Sequence, residues 1–136
     1  IFIFNNAVSN KNSEGLLFLK TNKNDDLSQF EGSSLEGKKK NINKDYFQPV
    51  KLIDINEILD KYEFIDCIKI DIEGHEYAII ESLIQNKHKI GRLVCEFHGT
   101  DEDIANNKNH EFRKEYLHYI KKLKELEEEN WLIMWH

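Results

Sequence analysis

The chain has 136 residues, about the length of one domain, of which 40% are hydrophobic and 32% are charged. This composition is sufficient for a folded core, and the longest apolar stretch is too short to cross a membrane. The net charge of −6 argues against a non-specific nucleic-acid binder, because neutralising phosphates requires a basic face. We therefore expect a soluble domain that binds neither nucleic acid nor membrane.

The two cysteines, Cys67 and Cys95, each lie inside an apolar run. So few cysteines predict no disulfide framework, and we expect two buried thiols in a reducing, cytoplasmic compartment. The chain begins at Ile1 in one strand-like run and ends in another over residues 131–135. From these two ends we expect it to be part of a longer protein.

The first half of the chain predicts strands separated by polar segments. Residues 1–8 and 15–19 are rich in β-forming side chains, and the polar residues between them favour a hairpin. Residues 21–43 are polar and contain two glycines. Their length predicts a functional or mobile loop.

A short strand and a short helix are predicted next. Residues 50–53 are apolar apart from one lysine, which is typical of a strand. Asp54 then precedes Glu57 by three positions, the spacing of a capping box. The helix that it opens is expected to reach about Tyr62.

The second half predicts alternating strands and helices. Strands are expected over 64–72, 92–97 and 131–135, and helices over 76–85 and 110–129. This alternation is typical of a parallel α/β sheet.

Each helix carries an apolar face. In the first, Tyr77, Ile80 and Ile84 share one side, with Leu83 beside them. The second has a narrow stripe, with charged residues on its other faces, so it is expected to cover the sheet from outside. The stripe consists of Phe112, Tyr116, Tyr119, Leu123 and Leu126.

Charged side chains gather where the strand over 64–72 ends. Asp71, Glu73 and Glu76 fall within six positions. The helix dipole favours Glu73 and Glu76 for structural reasons, and Gly74 permits a tight turn. Asp71 is expected to point into the crevice where α/β sheets bind ligands, and a carboxylate there needs a partner or a ligand. Asp71 is therefore a candidate functional residue.

The following strand ends in Glu96 and His98. If the two strands are parallel neighbours, these residues lie at the same edge as Asp71 and His75. A histidine can serve as a general base or a metal ligand, although a strand-end histidine is also often a structural hydrogen-bonding residue. Two histidines and two carboxylates at one edge indicate a site without identifying its reaction.

Several common motifs are absent from the sequence. Neither His75 nor His110 is followed by the second histidine of a zinc-protease helix, and the cysteines lack zinc spacing. No nucleophile elbow or P-loop occurs. The six glycines are scattered, so no glycine-rich turn for a nucleotide-containing cofactor is found.

The stretch from Phe64 to Glu76 has the sequence Phe-Ile-Asp-Cys-Ile-Lys-Ile-Asp-Ile-Glu-Gly-His-Glu. It resembles the hallmark segment of FkbM-family methyltransferases, in which an Ile-Asp pair leads into Lys-x-Asp-x-Glu-Gly-x-Glu. Weaker matches follow in the order of the family over roughly residues 5–98. They are Asn6 to Ser9, Gly15 to Leu19, Gly32 to Ser34, Leu52 to Ile55, and Val94 to His98.

The resemblance implies an α/β fold: a Rossmann-like class I methyltransferase sheet, incomplete at its N-terminus, with an inserted β-hairpin and loop region. It implies methyl transfer from S-adenosylmethionine, usually to an oxygen of a sugar, polyketide or similar small molecule. In the family, the cofactor glycines and the ribose-binding acid lie upstream of the position of Asn6. We therefore expect residues 1–136 to be a partial methyltransferase domain.

The resemblance also assigns candidate roles. The residues that rest on the motif itself are Asp71, Glu73, Gly74 and Glu76, and Glu96 and His98 match more loosely. We expect Asp71 and His98 to be catalytic, because O-methyl transfer requires an aligned acceptor and removal of its proton. Asn6, Ala7 and Asp71 are expected to contact the cofactor.

The remaining candidates have supporting roles. Glu73, His75 and Glu96 are expected to bind the substrate or a divalent metal, although no motif supports a metal. Gly74 and Glu76 are expected to form the structural turn.

Two other interpretations stay open. A truncated, inactive methyltransferase would serve as an interaction module or have no function of its own, since the glycine turn is absent. A metal-dependent hydrolase or phosphotransferase would use Asp71, Glu73, Glu96 and His98 without such a turn. The methyl acceptor, metal dependence and oligomeric state are not determined by the sequence. Residues 21–43 and 99–109 are expected to cover the acceptor side.

Overall fold

A computed structural model of the chain describes residues 3–20, 32–39, 42–98, 112–127 and 131–135. The described residues form two three-stranded sheets and three α-helices. In chain order the elements are β1 (Ala7–Ser9), β2 (Ser13–Lys20), β3 (Ile42–Asp54), α1 (Ile55–Leu59), β4 (Ile68–Ile70), α2 (Glu76–Gln85), a 3₁₀ turn (Lys87–Lys89), β5 (Leu93–Phe97), α3 (Arg113–Glu127) and β6 (Trp131–Trp135).

The first sheet is built on β3. β1 pairs with it in parallel and β2 pairs with it antiparallel, in the order β1-β3-β2. The predicted hairpin between residues 1–8 and 15–19 is therefore wrong, because β3 lies between the two strands. With 13 residues, β3 offers hydrogen-bonding groups on both of its edges, and each shorter strand takes one edge.

The start of β3 also shortens the loop that was predicted over residues 21–43. The strand begins at Ile42, so the last two residues of that segment belong to the sheet. Residues 32–39 are described and include Ser34, which forms a bridge with Phe18 of β2. Residues 21–31 and 40–41, like the second predicted cover over 99–109, lie outside the described residues.

The second sheet confirms the predicted alternation of strands and helices. Its strands run parallel in the order β4-β5-β6, with Ile70 opposite Cys95. The strand predicted over 64–72 is shorter, Ile68–Ile70, and Ile65 before it forms only an isolated bridge with Ile90. Alternate residues of β5 are buried: Leu93, Cys95 and Phe97.

Asp54 caps α1 as its spacing predicts. Its side chain accepts a hydrogen bond from the backbone N–H of Asn56 at 2.8 Å. The Glu57 carboxylate accepts a hydrogen bond from Asn12 instead. The helix ends at Leu59, three residues earlier than expected.

The core lies between the second sheet and the helices. α2 buries Tyr77, Ile80 and Leu83, whereas the predicted Ile84 is only half-buried. The α3 stripe is confirmed: Phe112, Leu123 and Leu126 are buried, and Tyr116 and Tyr119 pack against the same core.

The prediction of two buried thiols is correct for Cys95 and wrong for Cys67, which is exposed. Cys67 comes just before β4. Among the described residues, β4 is an edge strand of the second sheet. In the described part of the chain, no helix has the length and apolar character needed to span a membrane.

Candidate functional site

The turn between β4 and α2 has an unusual backbone. Glu73 has a φ of 57° and Gly74 has a φ of 100°, both in the left-handed region. A Cβ atom on Gly74 would lie 2.6 Å from Cζ of Phe112, so the position has room only for glycine. The conformation of the turn places the Glu76 carboxylate against the backbone of the turn. There it accepts hydrogen bonds from the N–H groups of Ile72 (3.0 Å) and Gly74 (2.9 Å).

Glu76 fixes the position of His98 at the end of β5. Only 1% of Glu76 is exposed, and its Oε1 atom lies 3.1 Å from Nδ1 of His98. Burial opposes ionisation of Glu76, but the hydrogen bond and charge of His98 outweigh it and lower the pKa of Glu76. Burial also opposes protonation of His98, but Glu76 and then Glu73 outweigh it and raise the pKa of His98. Each residue therefore favours the charged form of the other.

The other ring nitrogen of His98 faces three carboxylates, and together these four residues form the strand-end cluster (Asp71, Glu73, Glu96 and His98). Nε2 of His98 lies 3.3 Å from Oε2 of Glu73, 3.8 Å from Oε1 of Glu96 and 3.9 Å from Oδ1 of Asp71. The Asp71 side chain is 40% exposed, so the cluster opens to solvent there. Parallel pairing of β4 with β5 brings these strand ends together, as the sequence predicts.

Residues 32–39 lie against this turn. The Ser34 hydroxyl donates to the carbonyl oxygen of Glu73 at 2.6 Å, and Lys39 forms an ion pair with the Glu73 carboxylate. Lys38 forms an ion pair with Glu115 of α3 at 2.6 Å. The segment therefore connects the turn with α3 beside the strand-end cluster. No spacing in the sequence relates Lys39 to Glu73, so their pairing was not predicted.

His75 has a different set of partners from the strand-end cluster. Its Nε2 atom lies 3.0 Å from Oγ of Ser9, and its Nδ1 atom lies 2.7 Å from Oε1 of Glu36. The order serine–histidine–carboxylate is that of a hydrolase triad, but only 2% of Ser9 is exposed. These contacts join the end of β1, the start of α2 and residues 32–39, which is a structural role. The substrate or metal role predicted for His75 stays a prediction.

Two cavities flank β1. Asn6 and Ala7 line one of about 870 Å³, together with residues of β2 and β3. Their predicted contact with a cofactor stays a prediction. The other cavity, of about 410 Å³, is an apolar groove between β1, α1 and β4. Val8, Ile70 and Ile72 line it, and Asp71, which lies between the last two in sequence, does not.

Comparison with known proteins bears on this geometry. A family model described as the methyltransferase FkbM domain matches residues 3–127. No curated protein and no solved structure matches the chain significantly. The matched range includes the turn between β4 and α2 and the ends of both strands that form the cluster. The chain therefore belongs to the FkbM methyltransferase family.

Proposed function

We propose that this protein transfers a methyl group from S-adenosylmethionine to an oxygen of a small acceptor, such as a sugar or a polyketide-like metabolite. Family membership supports methyl transfer. One observation supports the location of the reaction: buried Glu76 holds His98 so that its other ring nitrogen faces Asp71, Glu73 and Glu96. Ligands of open α/β sheets bind at this end of parallel strands.

The apolar groove beside β4 is the place we propose for the base of the cofactor. Its volume of about 410 Å³ falls within the roughly 300–1,000 Å³ typical of small-molecule sites. Val8, Ile55 and Ile72 supply apolar walls for a flat ring. Asp71, which lies between the lining residues Ile70 and Ile72 in sequence, is proposed to accept hydrogen bonds from the polar part of the cofactor, with Asn6 and Ala7 contributing from the start of β1.

S-adenosylmethionine supplies a methyl group on a positively charged sulfur. The acceptor oxygen would take this methyl group and its hydroxyl would give up a proton. Either Asp71 or His98 would accept this proton as the general base. Oδ1 of Asp71 and Nε2 of His98 are 3.9 Å apart, so one hydroxyl oxygen can lie within hydrogen-bond reach of both. Glu76 acts through His98 as a positioning residue.

Methyl transfer from isotope-labelled S-adenosylmethionine to a panel of hydroxylated acceptors tests the proposal. Asp71→Asn and His98→Gln are each expected to reduce turnover by about 100-fold or more, the usual contribution of proton-transfer groups. The matched control is Asp45→Asn, which removes an exposed carboxylate on β3 and leaves turnover unchanged. Unchanged turnover in Asp71→Asn would sink the assignment.

The alternative function is an inactive interaction module. It is favoured by the sequence itself, whose six glycines form no cofactor turn. Calorimetry with S-adenosylhomocysteine separates the two functions. Micromolar binding supports the methyltransferase, and the absence of binding supports the module.

A further inference from the structure

Asp71 is the least satisfied carboxylate of the strand-end cluster. Glu73 is paired with Lys39, whereas the Asp71 carboxylate faces Nε2 of His98 at 3.9 Å. That nitrogen also faces Glu73 and Glu96. Three carboxylates thus converge on Nε2 of His98, and a divalent cation beside them would neutralise more of their negative charge than a single imidazolium does.

We propose that Asp71, Glu96 and His98 together bind a divalent cation. One oxygen of each carboxylate and one ring nitrogen all lie within 4.8 Å of one another. With metal–ligand distances of about 2.1 Å, neighbouring ligands in an octahedron are about 3.0 Å apart and opposite ligands about 4.2 Å apart. The separations of 3.8 Å and 3.9 Å from Nε2 fall between these values. Small side-chain movements therefore complete the coordination.

The ring of His98 is already oriented for this role. A metal-binding histidine usually donates its other N–H to a carboxylate, which fixes the tautomer and leaves the ligating nitrogen free. Nδ1 of His98 has such a partner in Glu76, which lies outside the ligand set, and the cation would take the place of the proton that the neighbouring carboxylates favour on Nε2. Glu76 is in turn held by the backbone N–H groups of Ile72 and Gly74. Hydrogen bonds from the backbone of the turn thus hold Glu76, and Glu76 holds the His98 ring that carries Nε2.

The ligand set indicates which cations fit. Two carboxylates and one imidazole suit Mg²⁺ or Mn²⁺, and the set contains no thiolate for a softer metal. Three ligands leave octahedral positions open, and the exposure of Asp71 places them toward solvent. This role rests on the proposed function and changes one part of it: with the cation bound, Asp71 and His98 would hold the metal that lowers the pKa of the acceptor hydroxyl, and the proton would pass to solvent rather than directly to either side chain.

Titration of the full chain with Mn²⁺, after EDTA treatment and desalting, tests the site. Electron paramagnetic resonance is expected to show one saturable site with a Kd below about 1 mM. Pulsed measurements should detect a nitrogen coupling from the imidazole, which His98→Gln removes. We expect Asp71→Asn, Glu96→Gln and the supporting Glu76→Gln each to weaken binding by about tenfold or more, and Asp45→Asn to leave it unchanged.

Absence of a saturable site, absence of the nitrogen coupling in the unmodified protein, or unchanged binding in both Asp71→Asn and Glu96→Gln would overturn the proposal. The coupling is measured without any substitution, so it remains informative if a variant fails to fold. If methyl transfer persists in EDTA and Mn²⁺ does not bind, the cation proposal fails and the methyltransferase stands. If Mn²⁺ binds as expected but S-adenosylhomocysteine does not, the cation site stands and the methyltransferase proposal fails.

Discussion

Gly74 illustrates how one residue determines the geometry of the candidate site. Its positive φ strains any other side chain, and a Cβ atom there would overlap with Phe112. We expect Gly74→Ala to reduce the free energy of unfolding by about 2–4 kcal/mol, measured by urea denaturation. Gly37→Ala is the control, because Gly37 has no positive φ and its nearest neighbour is the movable ring of Phe18. Equal losses in the two variants would contradict this explanation.

The carboxylate of Glu76 is expected to determine how His98 titrates. Its hydrogen bond and charge favour the imidazolium form against the effect of burial. Replacement by Gln removes the charge, so Glu76→Gln should lower the pKa of His98, measured by NMR in the presence of EDTA. Glu81→Gln is the matched control, because Glu81 lies on the same helix and pairs with Lys122. A His98 pKa that does not change in Glu76→Gln would show that another group determines it.

The Tyr77 hydroxyl is a buried group with no hydrogen-bond partner among the described residues. Burial raises the pKa of Tyr77, as expected for a phenol removed from water. Leaving a polar group unpaired costs about 1–3 kcal/mol, so Tyr77→Phe should stabilise the protein by about 1 kcal/mol. Thermal unfolding measures the gain, and Tyr62→Phe at an exposed position should show none. A loss of stability in Tyr77→Phe would reveal a partner for the hydroxyl.

At the scale of the secondary-structure elements, α3 depends on its buried stripe. Leu123 is 0% exposed and Leu117, on the same helix, is 55% exposed. We expect Leu123→Ala to cost about 2–5 kcal/mol of unfolding free energy, because it removes contacts and leaves a cavity. Leu117→Ala should change it by less than about 0.5 kcal/mol. Equal losses of unfolding free energy in Leu123→Ala and Leu117→Ala, measured by chemical denaturation, would mean that α3 does not pack as described.

The elements whose apolar residues recur at a short, regular spacing were the most predictable. The spacing of apolar residues located α2 and α3 almost to their ends, because a helical face repeats every three to four residues. The pairing of β1 was not predictable in this way. Its partner β3 lies far along the chain, and β-forming composition does not specify which edge a strand joins.

At the scale of the whole molecule, His75 connects the two sheets. It links Ser9 at the end of β1 with α2, which packs on the second sheet, and with Glu36. We expect His75→Ala to lower the unfolding free energy by about 1–3 kcal/mol, because Ser9 is buried and would lose this partner. His88→Ala, at an exposed position in the 3₁₀ turn, serves as control in the same thermal melts. Equal stability of the two variants would argue against this connection.

The sequence by itself determined the alternation of strands and helices, the parallel second sheet and the strand ends that carry Asp71, Glu96 and His98. These features follow from local periodicity and from the rule that parallel strands end at one edge. Only the tertiary structure decided the partners: Glu76 holds His98, Lys39 pairs with Glu73, and His75 contacts Ser9. These contacts join segments far apart in the chain. Whether two such residues meet depends on packing and burial, which no short spacing encodes.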